Sequence, residues 1–469
     1  MLTAAADTIA GATRGQLIAG PASAMANDVA IDSRHATLGC VFIALAGESV
    51  DGHDFCEAAL SHGARVLVVS RPADELKSVL AAAAELGAAV IRVADCTRAL
   101  QDLAGYHRAR LHCEVVGITG STGKTTTKDL VDGVLAAKLR VVSTDGNRNN
   151  ELGVPLTVLR AAVDTEVLVV EMGMRGIGQI AELSAIVRPT IGLVTNVGTS
   201  HIELLGDQDS IASAKAELLT ALPPGGLALL NGDDAYSERL AGATHAPVTF
   251  YGLSSSCSVT ARDLTVDDES RPSFVLVTPD GEARVSLPMP GRHNVYNALA
   301  AAAVGLRLGL TPEEIARALA TVTVTAMRMQ VLATASGVTV INDAYNANPI
   351  SMRAAAETLA EMTSAKRRIA VLGDMAELGS LTELAHFRLG EQVARLKIDV
   401  LVTVGPRAAR IGEGARAEGM VEDSVRVCAT PAEALEVLDD LLCSGDAVLV
   451  KGSRVMGLES VVEGIVSPR

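Results

Sequence analysis

Residues 117–130, GITGSTGKTTTKDL, decide the fold of the middle of this chain. The apolar, β-branched run 115–118 predicts a buried strand that ends in a glycine-rich turn. A helix is expected to follow, and its N-terminus would direct free N–H groups and a partial positive charge at the turn. Gly120 and Gly123 allow the backbone to fold closely around a phosphate. This order of strand, turn and helix predicts a phosphate-binding loop.

The side chains of the loop predict a site for a nucleoside triphosphate and Mg²⁺. Lys124 is placed to reach the terminal phosphates, and the Thr125 hydroxyl to ligate the metal. The general P-loop pattern has a glycine where this chain has Ile118, although Gly117 is adjacent. A chance Gly-Lys-Thr in a glycine-rich turn is the alternative, and the flanking strand and helix favour nucleotide binding. The predicted nucleotide-binding residues of the loop are Gly120, Ser121, Thr122, Gly123, Lys124, Thr125 and Thr126.

The composition is typical of a large α/β protein. The chain has 469 residues, of which 49% are hydrophobic and 20% charged, which argues against disorder. Aromatic residues make up 2% and Trp is absent, so Ala, Val, Leu and Gly must do most of the packing. The net charge of −15 does not favour nucleic acid or an anionic membrane as a partner. An anionic substrate remains compatible, because backbone N–H groups and a few cations hold phosphates locally.

Cysteine usage and the N-terminal sequence favour a cytoplasmic protein. The seven cysteines are odd in number, widely spaced and without a C-x-x-C pair, so they fit neither a disulfide framework nor a zinc knuckle. Reduced thiols in the cytosol are the expected state. The N-terminal segment lacks a basic stretch followed by an apolar run, so no signal peptide is expected. Every apolar stretch is far shorter than the ~20 residues of a transmembrane helix.

Short β-branched runs alternate with Ala-rich helical patterns along the chain. Continuous apolar strands separated by helices predict parallel sheets that are covered on both faces, which is an α/β fold. The predicted strands are 65–69, 115–118, 167–170, 191–195, 338–341, 369–372, 400–404 and 447–450.

The changes in pattern along the chain predict three domains. Residues 245–290 alternate Thr, Val and Asp with few helical signals, and predict a β-rich excursion from the middle domain. A helix is expected at 294–308, and the next one is expected to begin with a capping box between Thr311 and Glu314. The predicted domains are 1–109, 110–325 and 326–469.

Other polar residues follow predicted buried strands. Glu171 lies at the carboxyl end of strand 167–170, where open α/β sheets bind ligands, and a carboxylate there is a natural Mg²⁺ ligand. A helix-capping or surface glutamate is the alternative. His201 follows strand 191–195 in a loop, and a lone histidine is more often structural than a ligand. Lys215, taken alone, is expected to be a surface lysine on a helix.

Segments spread over nearly the whole chain resemble the Mur ligase family. TGSTGKTTT is similar to that family's P-loop, which is shorter at its start than the common form. The resemblance implies a small α/β N-terminal domain, a central P-loop domain with a parallel sheet, and a Rossmann-like C-terminal domain. The other segments that carry it are EMGMRGIGQI (171–180), TNVGTSHIELLG (195–206), SAKAELL (213–219), GRHNVYNALAAAA (291–303), AMRMQVL (326–332) and INDAYNANPISM (341–352).

The resemblance implies ATP and two Mg²⁺ ions as cofactors. His201 is assigned to the second Mg²⁺ by resemblance alone, because histidine is an unusual ligand for so hard a cation. Lys215 resembles a family lysine that CO₂ carbamoylates, which would convert a cation into a carboxylate-like ligand; Asp207 and Asp209 are nearby alternatives. The implied metal ligands are Thr125, Glu171, His201 and Lys215. The implied catalytic residues are Lys124, Glu171, His201, Lys215 and Arg328.

The resemblance also assigns residues to the nucleotide. Asn294 and Asn297 lie three apart near a helix N-terminus, and their amides are implied to read the adenine edge. Helix capping by Asn294 is the alternative. Arg328 is implied to reach the nucleotide phosphates from the C-terminal domain. Asp343 is implied to accept from ribose hydroxyls, and Tyr345 to pack on the adenine.

Further segments imply a UDP-linked substrate. IDSRHATLGCVFIALAGESVDGHDF (31–55) resembles the family's UDP-binding domain, and GNRNNELGVPLTVL (146–159) its substrate loop. AYNANPISM and VLGDMAELG (371–379) favour members that add D-alanyl-D-alanine, and the D-N-P-[RA] motif of members that add a diamino acid is absent from the C-terminal part. Asp374 and Glu377 either bind the dipeptide or cap helices. The implied substrate-binding residues are Ser33, Arg34, Gly47, Asp51, His53, Asn149, Asn150, Asn346 and Asn348.

The implied activity is ATP-dependent ligation of D-alanyl-D-alanine to UDP-N-acetylmuramoyl-tripeptide through an acyl phosphate, in peptidoglycan precursor synthesis. The C-terminal domain is expected to bind the dipeptide and close on ATP. Alternatives are a sister ligase that adds a diamino acid to the UDP-muramoyl-dipeptide, a non-catalytic nucleotide-binding relative, and a P-loop kinase. The chain is expected to act as a cytoplasmic monomer, without nucleic acid or membrane as partners. Whether the tripeptide ends in lysine or diaminopimelate stays open.

Overall fold

Three mainly parallel sheets, each flanked by helices, follow one another along the chain. The structure, a computed structural model, describes residues 1–47 and 49–467. Glu48, in the segment expected to bind UDP, and Pro468 and Arg469, at the end of the predicted C-terminal domain, lie outside the described residues. The α/β fold class expected from the sequence is confirmed. Within the described ranges, no helix combines the length and the apolar character needed to cross a membrane.

The N-terminal unit consists of strands β1 (Ala4–Ala5), β2 (Gln16–Ala19), β3 (Met25–Ala26), β4 (Asp28–Ala30), β5 (Cys40–Ile43), β6 (Val66–Val69) and β7 (Ala89–Arg92), with helices α1 (Ala6–Ala12), α2 (Cys56–Ser61), α3 (Lys77–Leu86) and α4 (Cys96–Arg108). Its sheet has the order β2-β7-β6-β5-β4, and all neighbours are parallel except β2 and β7. β1 and β3 pair separately as an antiparallel ribbon. Strand β6 confirms the prediction at 65–69, and the other short strands were not predicted.

The central unit consists of strands β8 (Glu114–Thr119), β9 (Val141–Ser143), β10 (Val167–Glu171), β11 (Ile191–Val194), β12 (Leu227–Asn231), β13 (Val248–Tyr251), β14 (Thr260–Val266), β15 (Pro272–Thr278) and β16 (Gly281–Ser286), with helices α5 (Lys124–Ala136), α6 (Gly153–Arg160), α7 (Gln179–Val187), α8 (Ile202–Leu205), α9 (Gln208–Thr220), α10 (Ser237–Ala241), α11 (His293–Arg307) and α12 (Pro312–Leu319). Its main sheet is entirely parallel, in the order β13-β12-β11-β8-β10-β9. Strand β8 therefore lies between β10 and β11, and the carboxyl ends of all three meet at one edge.

The β-rich excursion is confirmed as strand β13 followed by a three-stranded antiparallel sheet, β14-β15-β16. The helix expected at 294–308 is α11, one residue earlier at each end. The predicted capping box of α12 is also present: Thr311 accepts from the backbone N–H of Glu314, and the Glu314 carboxylate accepts from that of Thr311. These reciprocal bonds satisfy two of the free N–H groups at the start of the helix.

The C-terminal unit consists of strands β17 (Gln330–Ala333), β18 (Thr339–Asn342), β19 (Arg367–Gly373), β20 (Val400–Val404), β21 (Val425–Cys428) and β22 (Asp446–Lys451), with helices α13 (Pro349–Ala360), α14 (Thr382–Arg395), α15 (Ala409–Ala417), α16 (Pro431–Leu441) and α17 (Glu459–Val466). The sheet order is β17-β18-β22-β19-β20-β21, and only the edge strand β17 is antiparallel to its neighbour. The loops after β18, β19 and β22 emerge at the same edge of this sheet.

The apolar cores divide differently from the sheets. One core runs continuously from the N-terminal sheet to one face of the central sheet, from Leu2 to Ala246. A second covers the opposite face of the central sheet beneath α11 and α12. The C-terminal sheet has a core on each face, and neither includes a residue of the other two units. The C-terminal unit is therefore packed as an independent body.

Candidate active site

The phosphate-binding loop has the geometry expected from its glycines. It leaves β8 at Gly120, where φ is +150°, and enters α5 through Gly123, where φ is +77°. A Cβ atom on Gly123 would lie 2.6 Å from Asn297 Oδ1, and one on Gly120 would collide with the Thr195 side chain. Both positions therefore require glycine, for conformation and for space.

Two residues after β11 hold the loop, and sequence analysis did not single them out. Asn196 Oδ1 accepts from Thr122 N at 3.0 Å, and Asn196 Nδ2 donates to Thr122 Oγ1 at 2.8 Å. Thr195 Oγ1 donates to Thr122 O at 2.6 Å. Their position at the end of a buried strand next to β8 was the available signal.

The first residues of α5 meet an arginine from the C-terminal side. Lys124 Nζ donates to Gly120 O at 2.7 Å, and Arg328 Nη2 donates to Thr125 Oγ1 at 3.3 Å. Burial lowers the pKa of Lys124; the Glu171 carboxylate opposes this, and the Arg328 charge adds to it. Two cations thus converge where the terminal phosphates of a nucleotide would lie.

Glu171 ends strand β10 beside the loop and is only 1% exposed. Its Oε1 accepts from Asn149 Nδ2 at 2.6 Å, whereas Oε2 is buried and has no hydrogen-bond partner among the residues that the structure describes. The surface and helix-capping alternatives are therefore wrong. An unpaired, buried carboxylate oxygen is costly unless a cation or a donor joins it, so this atom suits a metal ligand.

His201 lies between the central and C-terminal units. Its φ of +64° is unusual for a residue with a side chain, and its Nδ1 lies 2.5 Å from Glu377 Oε2. Burial lowers the pKa of His201, whereas the Glu377 carboxylate raises it and the charge of Lys124 lowers it again. His201 and Glu377 form an ion pair across the cleft only when the imidazole is protonated.

Lys215 is buried, not on the surface as the isolated sequence suggested. It lies on α9, is 1% exposed, and makes no hydrogen bond or ion pair with any residue that the structure describes. Burial holds its pKa well below the usual value, and the charge of Lys124 adds to this effect against Asp234. The alternative metal ligands are engaged elsewhere: Asp207 caps α9, and Asp209 pairs with Arg239.

No group of three or more His, Cys, Asp and Glu side chains suited to a metal ion occurs within the described ranges. Thr125, Glu171 and His201 line the large cleft between the central and C-terminal units. Lys215, the fourth implied ligand, does not line it. Any divalent cation here would therefore need further oxygen atoms, from water or from the substrates, to complete its coordination.

The predicted residues of the C-terminal unit surround Arg328. The Arg328 guanidinium lies 4.1 Å from the centre of the Tyr345 ring, and the Tyr345 hydroxyl accepts from Asn147 Nδ2. Asp343 Oδ2 lies 2.5 Å from Nζ of Lys451, a residue that is 2% exposed and was missed from the sequence. Burial lowers the pKa of Lys451, and Asp343 opposes this shift. The Asp343 carboxylate is already paired with Lys451, so any ribose hydroxyl would have to share this carboxylate with Lys451.

Asn297 and Asn294 form a chain of amide bonds at the start of α11. Asn297 Oδ1 accepts from Thr127 Oγ1 at 3.1 Å, and Asn297 Nδ2 donates to Asn294 Oδ1 at 2.9 Å. Asn294 Nδ2 donates to Pro290 O at 2.7 Å, so its amide is used inside the protein. Asn297 lines the cleft and Asn294 does not. Asn294 does not cap the helix, which begins one residue earlier without a side-chain cap.

Three of the asparagines expected to bind substrate line the cleft with their amides already engaged. Asn348 caps α13 and also donates through Nδ2 to Ser200 Oγ at 3.0 Å, which links the two units. Asn346 Oδ1 accepts from Ala347 N at 2.9 Å, and the Asn346 backbone carbonyl accepts from Lys451 Nζ at 2.8 Å. Asn150 Oδ1 accepts from Gly153 N at 3.0 Å. Asn149, the fourth, holds Glu171 as described. These bonds order the loops that form the cleft wall.

The substrate residues expected in the N-terminal unit do not line this cleft. Arg34 is exposed and pairs with Asp32 at 2.6 Å, and Ser33 is buried in the same turn. His53 is 3% exposed: its Nδ1 lies 2.6 Å from Asp51 Oδ1, and its Nε2 accepts from a backbone N–H. His53 can therefore act on a substrate only through the loop that it holds. Gly47 N donates to the carbonyl of Val50, shortly before Asp51 in the chain.

One large cleft, of about 1460 Å³, collects most of the predicted residues. Its walls come from the central and C-terminal units, and Gln101 of α4 reaches it from the N-terminal unit. Asp374 does not line the cleft. Its Oδ1 accepts from Ala408 N just before α15, and this bond favours the capping alternative for Asp374. The predicted residues that line the cleft are Ser121, Thr122, Gly123, Lys124, Thr125, Thr126, Asn149, Asn150, Glu171, His201, Asn297, Arg328, Asp343, Tyr345, Asn346, Asn348 and Glu377.

Comparisons with known proteins identify what the chain is similar to. Family models described as Mur ligase catalytic domain, Mur ligase middle domain and Mur ligase glutamate ligase domain match residues 27–108, 118–305 and 327–454. A UDP-N-acetylmuramoyl-tripeptide–D-alanyl-D-alanine ligase of Mycobacterium bovis is 40% identical, over 94% of this chain and 92% of that protein.

Solved structures agree with these relatives. The crystal structure of MurF from Acinetobacter baumannii superposes with a TM-score of 0.87 at 31% identity, and the match covers 99% of both chains. MurF ligase from Thermotoga maritima, in complex with ADP, superposes with a TM-score of 0.79 at 27% identity, covering 94% of this chain and 97% of that one.

Proposed function

The chain belongs to the Mur ligase family, and we propose that it is an ATP-dependent ligase that joins D-alanyl-D-alanine to UDP-N-acetylmuramoyl-tripeptide. The observation that carries the proposal is the single cleft in which Lys124 and Thr125 of the phosphate-binding loop meet Glu171 and, from the C-terminal side, Arg328. The relatives of the same name extend over nearly the whole chain, which supports the choice of substrates.

The reaction proceeds in two steps. A carboxylate oxygen of the tripeptide attacks the γ-phosphorus of ATP, the bond to the bridging oxygen of ADP breaks, and an acyl phosphate forms. The neutral amine of D-alanyl-D-alanine then attacks the acyl carbon, phosphate leaves with the bonding electron pair, and the amine gives up a proton. The protein forms no covalent bond, so its contributions are positioning, charge stabilisation and exclusion of water.

The chain's own residues supply that stabilisation. Lys124 and Arg328 place positive charge beside the transferred phosphoryl group, where it counteracts the charge that develops in the transition state. Asn149 orients the Glu171 carboxylate through its 2.6 Å bond. Tyr345 holds the Arg328 guanidinium plane against its ring.

The residues fit the Mg²⁺ that the family implies. Glu171 Oε2 is a buried oxygen without a partner, and the Thr125 hydroxyl lies at the start of the phosphate-binding helix. His201 also lines the cleft, and Lys215, which does not line it, is proposed to join the set of protein ligands once it is carbamoylated. When bound, Mg²⁺ would neutralise the repulsion between the carboxylate and the triphosphate.

The burial of Lys215 supports the proposed carbamoylation. The lowered pKa leaves part of the amine neutral, and only a neutral amine attacks CO₂, forming an N–C bond and releasing a proton. Protein equilibrated with ¹³C-bicarbonate should show one carbamate carbon resonance that Lys215→Met lacks, whereas a surface variant, Lys77→Met, should retain it. An unchanged spectrum in Lys215→Met would exclude this modification.

The UDP-linked tripeptide and the dipeptide are proposed to approach the cleft from opposite sides. Ser33, Arg34 and the loop that contains Asp51 hold the UDP portion, and the Asn149 loop holds the muramoyl-peptide. The C-terminal unit, with Asn346 and Asn348, receives the dipeptide and closes on ATP. The protein is proposed to act as a monomer in the cytoplasm.

The deciding experiment measures phosphate release from ATP with purified protein, Mg²⁺ and UDP-muramoyl-tripeptide. D-alanyl-D-alanine should stimulate release and yield the UDP-muramoyl-pentapeptide, and tripeptides ending in lysine and in diaminopimelate should be compared. Stimulation only by a single amino acid, with the UDP-muramoyl-dipeptide, would identify a sister ligase. Absence of release with every acceptor, in folded protein that binds ATP, would overturn the assignment as a ligase.

A further inference from the structure

A buried carboxylate fixes the linker that carries Arg328, which is the segment 320–329 between α12 and β17. Asp129, on α5, is 9% exposed, and its Oδ2 accepts from Thr325 N at 2.7 Å. Asp129 Oδ1 accepts from Thr325 Oγ1 at 3.1 Å and lies 2.5 Å from Lys128 Nζ. The carboxylate is therefore paired within the central unit and bonded twice to one residue of the linker. Its partner lies 196 positions away along the chain.

The linker follows the surface of α5. Thr125 and Asp129 are four residues apart on this helix, so they lie one above the other on the same face. Asp129 holds Thr325, and Thr125 Oγ1 accepts from Arg328 Nη2 at 3.3 Å. The helix that begins at the phosphate-binding loop thus holds the linker at two points, three linker residues apart.

The linker backbone is strained on both sides of Arg328. Met327 and Met329 have φ values of +61° and +50°, a region that side chains with a Cβ disfavour. Met329 N donates to Asp343 Oδ1 at 3.1 Å, and Asp343 is held in turn by Lys451. Such a conformation persists only when its surroundings impose it. Asp129 imposes it from the central unit, and Asp343 from the C-terminal unit.

We propose that Asp129 is a positioning residue that sets Arg328 on the phosphate-binding loop through Thr325. The proposal rests on the proposed function, because Arg328 is assigned to the nucleotide phosphates. Asp129 does not line the cleft, and both oxygens of its carboxylate are engaged by Thr325 and Lys128. Loss of this anchor frees the linker and lets the Arg328 guanidinium leave its place beside Thr125.

A double-mutant cycle tests this role. Asp129→Asn keeps the size of the side chain, removes its charge, and should lower kcat about tenfold, the effect expected from weakening hydrogen bonds to a charged group. In an Arg328→Ala background, Asp129→Asn should cause no further loss, because the residue through which it acts is gone. Equal losses in both backgrounds would overturn the proposal, as would an unchanged kcat in folded Asp129→Asn.

A matched control separates positioning from stability. Asp446 is a buried carboxylate, 2% exposed, that pairs with Arg367 at 2.6 Å at the far end of β22 from the cleft. Asp446→Asn should lower the midpoint of thermal unfolding but leave kcat unchanged. Thr325→Val, which removes only the hydroxyl donor and leaves Lys128 paired, should reduce kcat about threefold by loss of one hydrogen bond.

Binding of β,γ-methylene ATP gives a second readout that does not depend on ligation. Titration calorimetry of the same four proteins in the cycle should show weaker binding in Asp129→Asn and no additional weakening when Arg328 is already alanine. If the wild-type protein lacked ligase activity, the proposed function would fail while this cycle still tested the anchor. Additive losses of binding affinity would contradict the anchor even in an active ligase.

Discussion

Replacing Gly123 with alanine should disable the phosphate-binding loop. The φ of +77° costs a residue with a Cβ about 1–2 kcal/mol. The new Cβ would lie 2.6 Å from Asn297 Oδ1, so Asn297 must move. That movement breaks its bonds with Thr127 Oγ1 (3.1 Å) and Asn294 Oδ1 (2.9 Å), at about 1 kcal/mol each. The total is about 3–4 kcal/mol, which corresponds to a few hundredfold in an equilibrium constant.

The measurement is urea unfolding together with titration of β,γ-methylene ATP. The losses in unfolding free energy and in binding free energy should together reach about 3–4 kcal/mol. Gly87→Ala is the strain control, because φ is +66° there and nothing lies within 4 Å of the added Cβ. Gly105→Ala, in open space on α4, should slightly stabilise the protein. A combined loss in Gly123→Ala no greater than that in Gly87→Ala would refute the reasoning.

Three further predictions concern catalysis, stability and pH. Glu171→Gln keeps the bond from Asn149 but removes the unpaired anionic oxygen. Phosphate release should therefore fall roughly a hundredfold, and a Mg²⁺ titration of activity should require more metal. The free energy of unfolding should be unchanged. Thr311→Ala removes the capping box of α12 and should lower the unfolding free energy by about 1 kcal/mol in urea without changing kcat. Burial lowers the pKa of His107, His293 and His386, that of His293 to about 4, so the unfolded chain binds more protons below pH ~6.5. The unfolding free energy should therefore fall between pH 7 and pH 5, by about 1–2 kcal/mol from His293 alone, and equal urea midpoints at the two pH values would contradict this.

The main strands could be predicted because burial on both faces leaves a local signal. β8, β10 and β11 are buried along their length except for Glu114 at the start of β8, and they are mainly apolar. A polar residue ends or follows each run: Thr119, Glu171 and Thr195. Half-buried strands left no such signal: β9 has three residues of intermediate exposure, and β21 exposes its two middle residues. Short edge strands depend on the neighbour with which they pair, and the sequence does not state which neighbour that is.

Candidate site residues could be predicted where the chemistry is local. Lys124 and Thr125 follow a glycine-rich turn, and Glu171 follows a buried strand. The burial of Lys215 could not be read from SAKAELL, because the face of a helix that is buried depends on what packs against it. Lys451 was missed for the same reason, since its partner Asp343 lies 108 positions earlier in the chain.

The inward orientation of some polar side chains was equally unpredictable. Asn294 and His53 carry polar groups that could bond a ligand. The same groups could bond the protein backbone, and the sequence does not show which kind of partner they have. In the structure, Asn294 bonds Pro290 O and His53 bonds a loop backbone. Such residues shape a site by fixing its walls, and a motif match alone does not separate this role from direct contact.

The two sides of the interface between the central and C-terminal units differ in kind, and this difference suits the proposed closure of the C-terminal unit on ATP. The units share no apolar core. They meet at the partly exposed pairs His201–Glu377, at 2.5 Å, which is an ion pair only when the imidazole is protonated, and Arg292–Glu361, at 2.6 Å. Pairs of this type contribute only about 0–1 kcal/mol each, so they can separate and re-form. The linker side is held instead by the buried Asp129 carboxylate. The proposed closure would then pivot near Arg328, the residue that is proposed to contact the nucleotide phosphates.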